Sequence, residues 1–313
     1  MNNKIFRAVL IAVVTTGFVG ISQAQTPTPT APQTLPQTPA PAAAPPLFAT
    51  TKVEGTDNVY VFRYQNHQAM FVVTPAGVLA TDPISYGRPQ AAVAYVAEIK
   101  KITNKPIKYL VYSHHHYDHI AGGKPFKEAG AVVVAHRKAK ERLATLKNPD
   151  VVIPDEVVDG KRAIILGGTR IELIYTGRNH SDSSLVMFLP KEKILFAVDF
   201  NSLGAVPSRL AINDSYPVEW EASLKKTLAL DWERQIPGHP GPGGRLGTKK
   251  DMEQQFAFMT DLSTEVKKAS DAGKCFDPAT KEVRLPQHAT LQGYEQNIEW
   301  STHRWCGYWG RGI

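Results

Sequence analysis

His114-His115-His116-Tyr117-Asp118-His119 brings four side chains able to bind a metal, His114, His116, Asp118 and His119, into one short run. A zinc ion takes three or four N, O or S ligands at about 2 Å, and a catalytic one keeps a position open for water. The run follows the apolar segment 107–112, which reads as a strand, and precedes Ala121-Gly122-Gly123, where glycine permits a tight turn. A loop leaving that strand lets several of these side chains converge, which a continuing strand or a regular helix would not. Alone, the run indicates clustered metal ligands, whether in a catalytic centre or in a histidine cluster that captures metal without chemistry.

On the N-terminal side of the run, residues 59–64, 69–74 and 78–81 are β-branched segments separated by the turn signals Gln65-Asn66-His67 and Pro75-Ala76-Gly77, the pattern of an antiparallel meander. Val93, Val96 and Ile99 recur at helical spacing within residues 89–101. On its C-terminal side, residues 131–135, 163–166, 171–175, 185–189, 193–198 and 235–236 read as strands, and residues 136–147, 218–230 and 250–272 as helices. Strands and helices alternate through both halves with no second linker. This predicts one α/β domain over residues 47–313, a two-layered sheet core with helices outside. Its aromatic, helical C-terminal tail (Tyr294, Ile298, Trp300, Trp305, Tyr308, Trp309) is expected to pack on the core, with cleft-lining and chain-joining roles as the alternatives.

The 313-residue chain, 42% hydrophobic, is long enough to bury a cleft. Residues 1–24 carry Lys4 and Arg7, an apolar stretch and the small-residue ending Ser22-Gln23-Ala24, the pattern of a cleaved secretory signal. Residues 25–46 reduce almost wholly to Pro, Thr, Ala and Gln, a composition expected to form a disordered linker. Together they predict a periplasmic or secreted protein without a stable membrane anchor. The net charge of +7 is spread over scattered Lys and Arg, with no basic run interleaved with aromatics, so nucleic acid is not an expected partner. A small-molecule substrate is, and a homo-oligomer stays open. An oxidising compartment would permit a bond between Cys275 and Cys306, but spacing alone does not show that they meet.

At a strand end, His114-x-His116-x-Asp118-His119 resembles the signature of the metallo-β-lactamase superfamily, whose fold is a four-layered αββα sandwich. Further motifs carry the resemblance in order: Leu79-Ala80-Thr81-Asp82, Thr176-Gly177-Arg178-Asn179-His180-Ser181-Asp182, Ile194-Leu195-Phe196-Ala197-Val198-Asp199 and Ile236-Pro237-Gly238-His239-Pro240. It spans about residues 51–250. The resemblance implies two zinc ions per chain, one held by His114, His116 and His180, the other by Asp118, His119 and His239, with Asp199 bridging. Asp118 would also be the catalytic residue that orients the nucleophile and relays its proton, and Asp82 a support behind the ligands. His67, His115, His136, His288 and His303 fit no motif and are expected to be structural or surface residues, and Tyr117 a wall residue.

Two bound cations lower the pKa of water and polarise a carbonyl, so the implied activity is hydrolysis of a small ester, lactone, amide or related electrophile. Asp199 stands where zinc β-lactamases of the main subclass carry Cys, which weakens a β-lactam substrate. The segment His180-Ser181-Asp182-Ser183-Ser184-Leu185-Val186 is similar to the lactamase form of its motif and keeps that reading open. A mononuclear iron dioxygenase on the same fold is the second alternative, and an approach of Asn201 to the metal through a shifted loop is a variant of the ligand set.

Overall fold

The computed structural model describes residues 45–313. The signal segment 1–24 and nearly all of the linker 25–46 lie outside the described residues. Seven strands form the first sheet in sequence order: β1 (Phe48–Lys52), β2 (Val59–Tyr64), β3 (His67–Thr74), β4 (Gly77–Thr81), β5 (Ile107–Val111), β6 (Val132–His136) and β7 (Glu156–Val158). The pairs from β1 to β4 are antiparallel, β2–β3 and β3–β4 as the turn signals predict, and those from β4 to β7 are parallel. Helices α1 (Ala91–Ile102), α2 (Tyr117–Ile120), α3 (Lys124–Glu128) and α4 (Arg137–Leu146) lie in the connections. The second sheet has the order β12-β11-β10-β9-β8, built from β8 (Lys161–Leu166), β9 (Thr169–Tyr175), β10 (Leu185–Leu189), β11 (Ile194–Phe196) and β12 (Arg234–Ile236).

Strand periodicity explains the layering. Along β3, Ala69 and Phe71 point to one side, into a core shared with Tyr95 and Ile99 of α1, while Met70 and Val72 point to the other. There they meet Leu173 of β9, Met187 of β10 and Phe196 of β11 across the two sheets. On the far side of the second sheet, Val186 and Phe188 alternate outward onto a third core. That core holds α6 (Pro217–Leu228), α7 (Lys249–Asp271) and α9 (Tyr294–Arg311), with α5 (Arg209–Ile212) and α8 (Asp277–Glu282) completing the chain. The result is the αββα sandwich. Both faces of each sheet are covered, so central strands such as β4 and β10 are buried throughout and lose the hydrophobic alternation of a half-exposed strand.

The longest helix is also the best delimited. Thr248 and Asp251 form a reciprocal capping box at the start of α7, and Arg245 pairs with the same Asp251. The aromatic tail is α9, which buries Tyr294, Ile298 and Trp305 against the third core and leaves Trp300 exposed under Arg209. Cys275, between α7 and α8, is bonded to Cys306 of α9, with Cα atoms 5.4 Å apart. Among the described residues no helix is long and apolar enough to cross a membrane.

Glu221 of α6 faces α7. Its Oε2 accepts from Thr260 Oγ1 at 3.5 Å, and its Oε1 is buried without a partner. Burial pushes this carboxyl from the ordinary 4.5 up to about 7. A carboxyl that holds its proton more tightly when folded contributes fully to stability below pH 4.5 and loses that contribution as the pH rises through 7. Glu221→Gln is therefore expected to be more stable than the wild type at pH 8, the difference closing toward pH 4.5. Urea unfolding at both pH values checks this, and a midpoint at pH 8 no higher than the wild type's would contradict it.

Candidate metal centre

Six chain segments converge at one end of the sandwich. They are the start of β3 (His67), the bend after β5 (His114 to His116), α2 (Asp118, His119), the turn after β9 (His180), the loop after β11 (Asp199) and the turn after β12 (His239). The run after β5 departs from the loop expected of it. Its second half is a helical turn, because the His116 carbonyl accepts from the backbone N–H of both His119 and Ile120 at 3.2 Å. Gly122 then turns with φ +89°, a conformation open to glycine, and returns its N–H to Asp150 O at 2.7 Å.

His114, His116 and His180 each present a donor atom within 4.8 Å of the other two, and so do His67, Asp118, His119 and His239. Asp199 reaches both groups. Its Oδ2 lies 3.0 Å from His119 Nε2 and 3.7 Å from His180 Nε2, and its Oδ1 lies 3.3 Å from His239 Nε2. The structure thus draws all seven sequence-derived ligand candidates together. Asp199 does so in the left-handed region, φ +53°, an unfavourable conformation for a residue with a Cβ. Asn201, the alternative ligand, donates its amide nitrogen to Gln235 Oε1 at 2.9 Å, while its Oδ1 is buried without a partner and the residue lines the same cleft.

Outer partners set which imidazole nitrogen faces inward. His180 Nδ1–H donates to Ala211 O at 2.8 Å and His239 Nδ1–H to Asn66 O at 2.7 Å, so in their neutral forms both Nε2 atoms carry lone pairs. His116 Nε2 lies 3.0 Å from Asp214 Oδ2 and His114 Nδ1 3.0 Å from Ser113 Oγ, leaving His116 Nδ1 and His114 Nε2 for the centre. His116 Nδ1 sits 3.0 Å from His180 Nε2, and His114 Nε2 is buried with no partner. The outer nitrogens of His114, His116, His180 and His239 are thus engaged and their inner ones free, while His119 Nδ1 is buried without a partner; inward lone pairs are what a cation needs, so the donor set fits divalent metal.

Charge leads to the same place. Burial alone would raise Asp199, but His119 and His239 outweigh it and hold the carboxyl well below its usual range. At Asp118 burial is likewise overcome by the His119 and His67 rings, whose Nε2 atoms lie beside its Oδ2, and the carboxyl is held well below its usual range. Burial opposes protonation of His119 and His239, and Asp199 reverses this at both, so each is raised. Two ionised carboxylates side by side, Asp199 largely buried and Asp118 half-buried, demand positive charge, from protons on these rings or from a cation held by them. Asp82, behind the centre, receives Ser113 N–H at 2.8 Å, and burial pushes its carboxyl up to about 6.

A family model for the metallo-beta-lactamase superfamily matches residues 66–239. The chain belongs to the metallo-beta-lactamase superfamily. Among solved structures it is similar to a metallo-beta-lactamase from Pontibacter korlensis, at TM-score 0.59 and 19% identity over 68% of this chain and 99% of that one. It is also similar to DIM-1 metallo-beta-lactamase, at TM-score 0.58 and 20% identity over 69% and 98%. At these identities the likeness is one of fold. By sequence it is 25% identical over 201 residues to the 2,4-dinitroanisole O-demethylase subunit alpha of Nocardioides sp. (62% of this chain, 58% of that protein). It is 23% identical over 247 residues to the linear primary-alkylsulfatase of a Pseudomonas strain (64% and 46%). The chain thus spans about half the length of these two relatives. The superfamily supplies the hydrolase-type fold, and the His/Asp clusters described above are compatible with metal at the end where the sheets converge.

Two histidines depart from their sequence reading. His67, expected to be structural or on the surface, joins the second cluster, its Nε2 3.2 Å from Asp118 Oδ2. His115 forms a cluster with His116 and Asp214, while its Nδ1 meets Ser183 Oγ at 2.8 Å. Burial lowers these two imidazoles to about 4 and about 3. His115 is carried in by its two neighbours in the His114–His119 run, whereas His67 and Asp214 carry no motif signal and are brought in by the β2–β3 register and the loop before α6. His136 and His288 lie elsewhere, bonded to Asp159 O and Asp261 Oδ2, and His303 packs on Phe276. Tyr117 lines the cleft beside Tyr86, as expected of a wall residue.

Proposed function

We propose that the chain is an exported hydrolase that uses two zinc ions to cleave a small ester, lactone, amide or related electrophile with an apolar body. The observation that carries this reading is a pair of donor clusters sharing Asp199 on the floor of an open cleft of about 1320 Å³. His114, His116 and His180 would hold one ion and Asp118, His119 and His239 the other. When bound, the metals would supply Lewis acidity and a water acidified to near-neutral pKa.

The chain's own groups would do the rest. Asp118 Oδ2 is occupied by His67 and His119; Oδ1, with no hydrogen-bond partner among the described residues, would take a proton from an attacking water and return it to the leaving group. Asp214, Ala211 and Asn66 hold the imidazoles in the required orientation. At the cleft wall Leu146, Leu210 and Tyr86 are all more than half exposed, with Leu203 and Val206 deeper in. Solvent-facing apolar side chains around a polar floor favour a substrate whose reacting group enters first and whose alkyl or aryl part rests on the rim. The names of the two sequence relatives, an alkylsulfatase and an aryl-ether demethylase, describe substrates of that shape.

Purified protein assayed on aryl esters, alkyl sulfates, aryl methyl ethers, lactones, thioesters, phosphodiesters and nitrocefin, with metal content measured on the same sample, tests the proposal. Turnover of an ester-like substrate at close to two zinc per chain is expected. Nitrocefin as the best substrate would favour the β-lactamase alternative, and one iron per chain with oxygen consumption the dioxygenase.

A further inference from the structure

We propose that His67 is an additional ligand of the second metal position, which would then offer a divalent cation five donors: the imidazoles of His67, His119 and His239 and the carboxylates of Asp118 and Asp199. The inference rests on the metal-dependent reading above.

His67 is fixed before any metal arrives. It pairs with Tyr64 across the tight turn Gln65-Asn66, and Gln65 accepts φ +52° to close it. The next residue, Gln68, donates its backbone N–H to Gly238 O at 2.7 Å and its side-chain amide to Pro237 O at 3.1 Å. The start of β3 is thereby tied to the turn that bears His239. The two rings sit edge to face with centroids 4.3 Å apart, and the His67 and His119 centroids are 5.3 Å apart. His67 is only 5% exposed, so its orientation is held by its surroundings.

Asn66 then decides which nitrogen points where. Its backbone carbonyl takes the His239 Nδ1–H, and its side-chain Oδ1 lies 3.0 Å from His67 Nδ1. One residue therefore engages the outward nitrogens of two neighbouring imidazoles. With Nδ1–H donating to Asn66, a neutral His67 turns the Nε2 lone pair toward Asp118 Oδ2 at 3.2 Å. Lone pair against carboxylate oxygen is repulsive, and a cation between them reverses the sign. His119 Nε2 bears the same relation to that oxygen, at 3.3 Å, and His239 Nε2 to Asp199 Oδ1. His67 thus stands toward the carboxylates as the two expected ligands do. Five protein donors exceed the three of an ordinary catalytic zinc site, so an ion held there, zinc included, would be at least five-coordinate. Were the Asn66 amide turned over, Nε2–H would donate to Asp118 and His67 would be a positioning residue instead.

Cobalt(II)-loaded full-length protein separates these cases. Each ligating imidazole with a protonated outer nitrogen gives one paramagnetically shifted, exchangeable N–H resonance in the proton spectrum. In the wild type six are expected, from His67, His114, His116, His119, His180 and His239, with one lost in His67→Gln. Chelator competition should show the second equivalent binding roughly 10- to 100-fold more weakly in that variant and the first unchanged. Five resonances in the wild type, or a His67→Gln spectrum identical to it, would overturn the inference while leaving the two-metal reading intact. A wild-type chain that takes up no divalent metal would overturn both. The wild-type count decides even if His67→Gln does not fold.

Discussion

Asp118→Ala is expected to lower kcat/KM by at least roughly 100-fold, about 2.7 kcal/mol of transition-state stabilisation, with the fold retained. Asp118 Oδ2 is the meeting point of His67 Nε2 and His119 Nε2, so truncation removes a metal donor and a negative charge at the point where both rings converge. The carboxylate is ionised because those contacts overcome its burial. Stability should change little, because the side chain is 37% exposed to the cleft and its loss opens no void in the core. Measuring turnover, metal content and thermal midpoint on one preparation checks all three. Asp118→Asn keeps the shape and removes the charge; if it is as inactive as Asp118→Ala, charge is what matters. Wild-type turnover in either variant at unchanged metal content would remove Asp118 from the centre.

How much of this centre is legible in the chain depends on where each residue's signal lies. His114, His116, Asp118 and His119 are local: their spacing and the preceding strand are visible together. His180, Asp199 and His239 each end a strand or sit in a turn beyond one, so strand order carries them to one end of the sandwich. His67 has no such mark. It reads as the last residue of a turn, and only the β2–β3 register and the bonds from Gln68 to Pro237 and Gly238 aim it at Asp118. The elements follow the same logic. β10 emerges with its expected bounds, because an apolar run between turn signals is unambiguous. The short strands β1 and β7 are absent from the sequence reading, since their residues alternate weakly and β1 is an edge strand with one aromatic anchor, Phe48 against Tyr64. The Cys275–Cys306 bond depends on how α9 docks beside α7, which no local pattern encodes.

Gly238→Ala is expected to act at the second metal position although Gly238 has no side chain. A Cβ there would stand 2.5 Å from Val198 Cγ1, 2.8 Å from His119 Cε1 and 3.1 Å from Asp199 Oδ1. The first two separations lie inside van der Waals contact, and none of the three residues can yield freely. Val198 is wedged between the sheets, His119 is fully buried, and Asp199 already holds a left-handed backbone. Nor can the Gly238 backbone retreat without breaking its 2.7 Å bond from Gln68 N–H. The strain should therefore shift His119 and Asp199, and misplacement on the order of 1 Å costs roughly 100-fold in turnover. Overpacking should cost a further 1–3 kcal/mol, roughly, in stability. Metal titration distinguishes this from general damage: the equivalent assigned to His114, His116 and His180 should bind as before, and the other more weakly. Adding Val198→Ala removes the closest clash but not the one at His119, so the double variant should regain stability before it regains the second metal. Recovery of both together would place the strain on Val198 alone and count against a direct effect of Gly238 on the metal position.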